Sequence, residues 1–204
     1  MPRAIYIVIF FIFAASACSG GRSPSEIARN IVYSESETNL VIAQTFAYPI
    51  SEKHFLTQAR DSKDDWYNAL DFGEQNHLGE DWNKNSGGNT DCGEPVYAIG
   101  DGLITYAADA GPKWGNVIII THKLPDGSRV QSLYAHLNEM IRTEGEVKLR
   151  EKIGTVGNAN GAYLCHLHFE IREEHCPMWD KVGSGYSSVR DGWIDPSDFI
   201  DKHR

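Results

Sequence analysis

Three short stretches carry the residue types that grip a divalent metal. His166-Leu167-His168 sets two imidazoles two positions apart. On a strand both would point to one face, with Leu167 turned to the other. His77-Leu78-Gly79-Glu80-Asp81 adds a histidine and a carboxylate four apart. Gly79 argues against a regular helix between them and for a bent or extended loop. Tyr134-Ala135-His136-Leu137 supplies one more histidine. Taken singly, each piece reads as well as a satisfied core histidine or an exposed polar turn. Taken together, two histidines and one carboxylate make a zinc set with a fourth position open to water. Two further histidines could orient that water and stabilise developing charge. The spacing does not separate the role of His166 from that of His168. The helix-borne His-Glu-x-x-His arrangement is absent from the chain.

The elements that must position these residues read as β-structure. Val96–Ile99 is followed by the turn signal Gly100-Asp101-Gly102, and Leu103–Ala107 is the next strand. Val117–His122 is rich in β-branched residues. Asp126-Gly127 predicts a hairpin that returns as Arg129–His136. Leu167–Ile171 alternates with charged neighbours, and by that alternation Glu170 shares a face with His168. Val41–Phe46 is a further candidate strand, and Ser23-Pro24-Ser25-Glu26 fits a helix start. Short strands with frequent glycine turns predict a mainly β, antiparallel domain.

Of the 204 residues, 41% are hydrophobic and 23% charged, the balance of a globular protein with one ordinary core. The net charge of -9 comes with no basic stripe, so a nucleic-acid partner is not expected. Residues 4–17 are almost wholly apolar after one early cation, a run too short to span a bilayer and suited to an export signal. Ala15-Ser16-Ala17-Cys18 resembles a lipoprotein cleavage site, which would put a lipid on Cys18; it also satisfies ordinary signal cleavage. The expected division is a signal at 1–17, a tether and extension at 18–45, and a main domain at 46–204. Cys165 and Cys176 flank a predicted strand and are too far apart to bond. That leaves Cys92 as the partner, with Cys165 preferred, or no bridge at all. His54, His122, His175 and His203 read as surface or packing residues. Trp82 and Trp114 suit a groove or the core equally. Asp61–Asp65 reads as a solvated acidic loop.

The order His-x-x-x-Asp, Tyr-Ala-His-Leu, His-Leu-His-Phe-Glu resembles the lysostaphin-type (LytM-like) zinc peptidoglycan metalloendopeptidases. Gly93-Glu94-Pro95-Val96-Tyr97-Ala98, Asp101-Gly102-Leu103-Ile104, Gly115-Asn116-Val117-Ile118-Ile119, Gly154-Thr155-Val156-Gly157 and Trp193-Ile194-Asp195-Pro196 extend the likeness over roughly residues 48–200. The resemblance implies an antiparallel sheet of duplicated-hybrid-motif architecture with a groove-shaped site holding one zinc ion per chain. It implies His77, Asp81 and His168 as ligands and His136 and His166 as unliganded catalytic residues. The implied activity is cleavage of peptide cross-links in bacterial cell wall, with peptidoglycan stems as partners. The implied place is the periplasm or a membrane to which the chain is tied only through Cys18. A second implication is a regulator that activates another wall hydrolase; family members of that kind commonly lack ligands or catalytic histidines, and here all five positions are filled. An activating protein partner is compatible with either. Two stretches depart from the pattern: Asn83–Cys92 is long, and Ala159–Cys165 replaces the usual approach to His166.

Overall fold

A computed structural model describes residues 40–51 and 65–204. The apolar run, Cys18, the helix start at Ser23, His54 and residues 61–64 lie outside the described residues. Eleven strands form among those described: β1 (Trp66–Leu70), β2 (Glu80–Lys84), β3 (Pro95–Tyr97), β4 (Gly102–Asp109), β5 (Asn116–Lys123), β6 (Arg129–Leu137), β7 (Glu139–Met140), β8 (Gly145–Val147), β9 (Lys152–Thr155), β10 (Leu167–Glu173) and β11 (Trp193–Ile194). Among the described residues one α-helix, α1 (Pro196–His203), follows β11. The main sheet runs β1-β2-β10-β6-β5-β4-β8, with β11 paired to β10, and β3-β9-β7 form a second sheet. The strand pairings are antiparallel, as expected.

Period-two alternation sorts the central strands into two faces. Trp82, Ile118, Ile120, Tyr134, Leu167, Phe169 and Ile171 enter the main core. Their neighbours in sequence turn the other way, where Val117, Ile119, Leu133 and Ala135 pack with Trp114 and Val182. Cross-strand pairing carries this parity from strand to strand. Asp81 stands opposite His168, and His168 opposite Ala135. Asp81, His168, Glu170 and Arg172 therefore share the second face.

Two expectations are corrected. Val41–Phe46 is not a strand: it makes one isolated bridge, Ile42 to Lys123. Its neighbouring amides scatter, Ala43 to Lys123 O, Phe46 to His203 O and Ala47 to Ile99 O, so no ladder develops. Leu40 and Ala43 are nevertheless already buried, ahead of the boundary expected at 46. The approach to Asp81 is not a loop throughout, because Asp81 lies on β2. Of the two places left open for Trp82 the structure takes the core: it is wholly buried, with Nε1 donating to Glu80. Helix α1 was not foreseen, although its signal is present: Asp195 accepts from Asp198 N–H and Pro196 takes the first turn. Among the described residues no helix is long and apolar enough to cross a membrane.

Candidate metal centre

His77 leaves a short 3-10 turn in extended conformation and makes a bridge with Tyr186, whose ring lies 5.0 Å away. Gly79 lets this segment press against β10: a Cβ there would stand 2.3 Å from Phe169 O. Asp81 and His168 then meet across the β2–β10 pair. His77 Nε2 lies 2.9 Å from His168 Nδ1 and 3.3 Å from Asp81 Oδ1, and His168 Nδ1 lies 3.0 Å from the same oxygen. Three lone-pair atoms thus crowd one point.

That donor set fits zinc. Ligands about 2.0 Å from a tetrahedral ion stand roughly 3.3 Å apart, close to the spacing here. Two nitrogens and one oxygen suit zinc, whereas magnesium and calcium favour oxygen alone. His77 Nδ1 is buried without a hydrogen-bond partner, so Nε2 is the working nitrogen of that ring. His168 Nε2–H donates to Glu170 Oε1 at 3.0 Å, which leaves Nδ1 to face the other donors. Glu170 is itself held through Oε2 by Arg172 Nε at 2.9 Å and Trp193 Nε1 at 2.8 Å. A second acidic group, Asp71, Glu80 and Asp195, lies elsewhere; Glu80 there is satisfied by Trp82 and Ser197.

The electrostatics follow from these contacts. Burial works against a charged His168, but hydrogen bonds to Asp81 and Glu170 outweigh it and lift the group to about 9. Burial likewise opposes the Asp81 carboxylate, but hydrogen bonds from His168 and His77 hold it far below the usual range. Burial opposes ionised Glu170 too, but Arg172 and His168 bring it down to about 2. The point between the rings is therefore one that attracts positive charge, a proton or a metal in competition.

His136 reaches the same space by breaking the alternation. By parity it should enter the core with Tyr134. Instead β6 carries one extra residue opposite β5, between the pairs Asn116–Leu137 and Ile118–Tyr134. His136 sits in this bulge with a positive φ of 64°. Its ring lies 4.7 Å from His166 and 5.5 Å from His168, centre to centre. The carbonyl of Trp114 accepts its backbone N–H at 3.0 Å and its Nδ1–H at 3.1 Å. Since a carbonyl only accepts, the lone pair is on Nε2. Burial, helped by the nearby His168 and His166, pushes His136 down to about 3 and keeps it neutral.

His166 stands one position before β10, bridged to Gly157. Its Nδ1–H donates to Leu164 O at 2.9 Å, so Nε2 is free to face Asp81 Oδ1 at 3.8 Å. All five residues singled out from the sequence come together. A cleft of about 260 Å³ opens over His136, His166 and His168, walled by Trp114, Tyr163 and Tyr186. Trp114 was anticipated as a groove candidate; Tyr163 and Tyr186 were not, since nothing in their local sequence marks them. The two departing stretches meet beside the cleft. Cys92 bonds Cys165, with Cα atoms 5.2 Å apart, and Cys176 is free and buried. Asn89 Oδ1 accepts from Cys165 N–H and Asn83 donates to Cys165 O.

Among the described residues, the other three histidines lie away from this centre. His122 is buried between Asp101 O and Ser132, His175 is exposed, and His203 stacks on Phe199.

Part of the chain is similar to known proteins. Residues 75–179 match the family model described as peptidase family M23. The DD-carboxypeptidase/endopeptidase Mpg of Neisseria meningitidis serogroup B is 40% identical over 86 residues, 42% of this chain and 19% of that protein. The murein hydrolase activator NlpD of Escherichia coli is 41% identical over 81 residues, 39% of this chain and 20% of that protein. The matched region thus spans about a fifth of each relative. Among solved structures, lysostaphin from Staphylococcus simulans aligns with a TM-score of 0.46 and 24% identity, covering 67% of this chain and 48% of that one.

Proposed function

Because the chain belongs to peptidase family M23, matched over more than half its length, we propose that it is a zinc-dependent endopeptidase that cuts peptide cross-links of bacterial peptidoglycan. The observation that carries this reading is the convergence of His77 Nε2, Asp81 Oδ1 and His168 Nδ1 within 3.3 Å of one another, beside two histidines with unencumbered Nε2 atoms. His77, Asp81 and His168 would hold the ion, and His136 and His166 would do the proton work. The proposed working domain is the region from residue 46 onward, and the proposed place of action is the cell envelope, reached by an export signal at 1–17 and tied by Cys18.

Zinc at this point would supply a Lewis acid that acidifies water and polarises a carbonyl. The protein's own part is positional. Trp114 O and Leu164 O fix the tautomers of His136 and His166, so both present Nε2 to the cleft. Neutral His136 accepts a proton at Nε2. Once charged, it faces the oxygen that becomes negative and stabilises it. Trp114, Tyr163 and Tyr186 flank that side of the cleft, where a bound peptide would lie.

His168→Ala should lose metal and activity together. His136→Ala should keep metal and lose about a hundredfold or more in rate. Purified sacculi digested with the metal-loaded protein and mapped by mass spectrometry should release cross-linked stems. Muropeptides left unchanged over a range of pH would favour the second reading, a regulator of another wall hydrolase, to which the name of the Escherichia coli relative points.

A further inference from the structure

Among the described residues, Lys113 is the one permanently charged side chain lining the cleft; beyond the histidines, the wall is aromatic, small or hydroxylic. This cation sits in a chain of net charge -9. No carboxylate of the described residues pairs with it. Asp109, just ahead on the same strand end, is turned away: its two oxygens accept from Gly111 N–H and the Asn160 amide.

The backbone gives an independent observation. Lys113 has a φ of 71°, in the left-handed region where glycine and asparagine rest with less strain. The turn that imposes it is closed by Trp114 N–H and Gly115 N–H, both to Gly111 O, and by Ala110 N–H to Gly115 O. The next residue, Trp114, holds His136 through its carbonyl. Lys113 is thus locked to the same turn that aims a reactive ring. The turn thereby fixes where the Lys113 stem leaves the backbone relative to the His136 ring.

We propose that Lys113 selects peptides carrying a free carboxylate close to the scissile bond. This rests on the endopeptidase reading of the site. A lysine ammonium on its flexible stem is a point charge that seeks an anion without demanding a planar fork. Lys113 is exposed at the cleft rim beside Trp114, so its ammonium is within reach of a bound substrate and the pair it makes is worth what an exposed pair is worth. The carboxylate can be a side chain or the chain end of the substrate, and both offer the same chemistry.

The test uses the zinc-loaded full chain and three forms of one stem-type peptide: free acid throughout, side-chain amide, and C-terminal amide. Binding is read by calorimetry, separately from cleavage. Amidating the recognised carboxylate should weaken binding and raise KM about fivefold with little change in kcat. Which amide has this effect tells side chain from chain end. Lys113→Asn should bring the ratio between the peptides to one while melting no lower than the parent, since asparagine suits the turn. Lys113→Glu should invert the preference. A parent protein indifferent to every amide, or a preference that survives Lys113→Asn, overturns the proposal. Preferential binding of the acid without cleavage of any peptide would support it and count against the endopeptidase reading instead.

Discussion

Glu170 decides how His168 is presented. One of its oxygens takes the Nε2 proton of His168, and the other is gripped by Arg172 and Trp193, all of it away from solvent. Arg172 is anchored in turn by the carbonyls of Met178 and Lys181. A ring held this way cannot swap tautomers, so Nδ1 stays available to a metal. Glu170→Gln should weaken zinc affinity roughly 10–100-fold, read by chelator competition on the purified protein. A dissociation constant equal to the parent's would remove Glu170 from this role. The same substitution leaves Arg172 short of its countercharge, so the thermal midpoint should fall as well.

At the level of elements, β6 and the segment before β10 must approach very closely to bring His136 beside His166. Gly157 permits it: a Cβ there would lie 2.4 Å from Asn138 N and 2.5 Å from His136 O. Both obstacles are backbone and cannot swing aside. Gly157→Ala should therefore cost about 3 kcal/mol of stability and part the two rings, seen as a lower melting point and a slower metal-loaded protein. The Cys92–Cys165 bond fastens the Asn83–Cys92 stretch to the residue preceding His166. Closing a loop with a sequence separation of 73 is worth about 4 kcal/mol in the chain-entropy account. Denaturation with and without reductant measures it, and equal midpoints would show that the bond contributes nothing.

At the scale of the whole molecule, the buried polar line through the core sets a pH response. His122 Nδ1–H donates to Asp101 O and its Nε2 lies 2.8 Å from Ser132 Oγ, which lies 3.0 Å from the Tyr134 hydroxyl; that hydroxyl accepts from Ile99 N–H. Burial pushes His122 from 6.5 to about 4. Below pH 6.5 the unfolded chain takes up a proton that the folded one refuses, so this contribution is complete above that pH. It is lost as pH falls towards 4, by roughly 3 kcal/mol. Glu80 has the opposite sense: burial raises it to about 8, so its share is lost as pH rises. Denaturation of the parent and of His122→Gln across pH 4 to 7 separates them, because only the parent carries the His122 slope. Parallel curves would refute the assignment.

Much of this was legible along the chain. Alternation is local, so the shared face of His166-Leu167-His168 and Glu170, the hairpin at Asp126-Gly127 and the β-branched strand at Val117–His122 followed from residue types alone. The five residues that converge were candidates by type and spacing, and the family resemblance assigned their roles. What the sequence could not decide is everything that depends on strand order and on broken alternation. Only the β2-β10-β6 neighbourhood sets Asp81 opposite His168. Only the bulge with its left-handed residue swings His136 out of the core, since an inserted residue reverses parity without any mark in composition. Tyr186 reaches the cleft through a bridge to His77, far away in sequence, whereas Tyr163 and Lys113 sit on locally closed turns that only the packed sheet brings to the cleft. Pairings of distant segments are settled by the free energy of the whole packed sheet, and no short window of residues contains that sum.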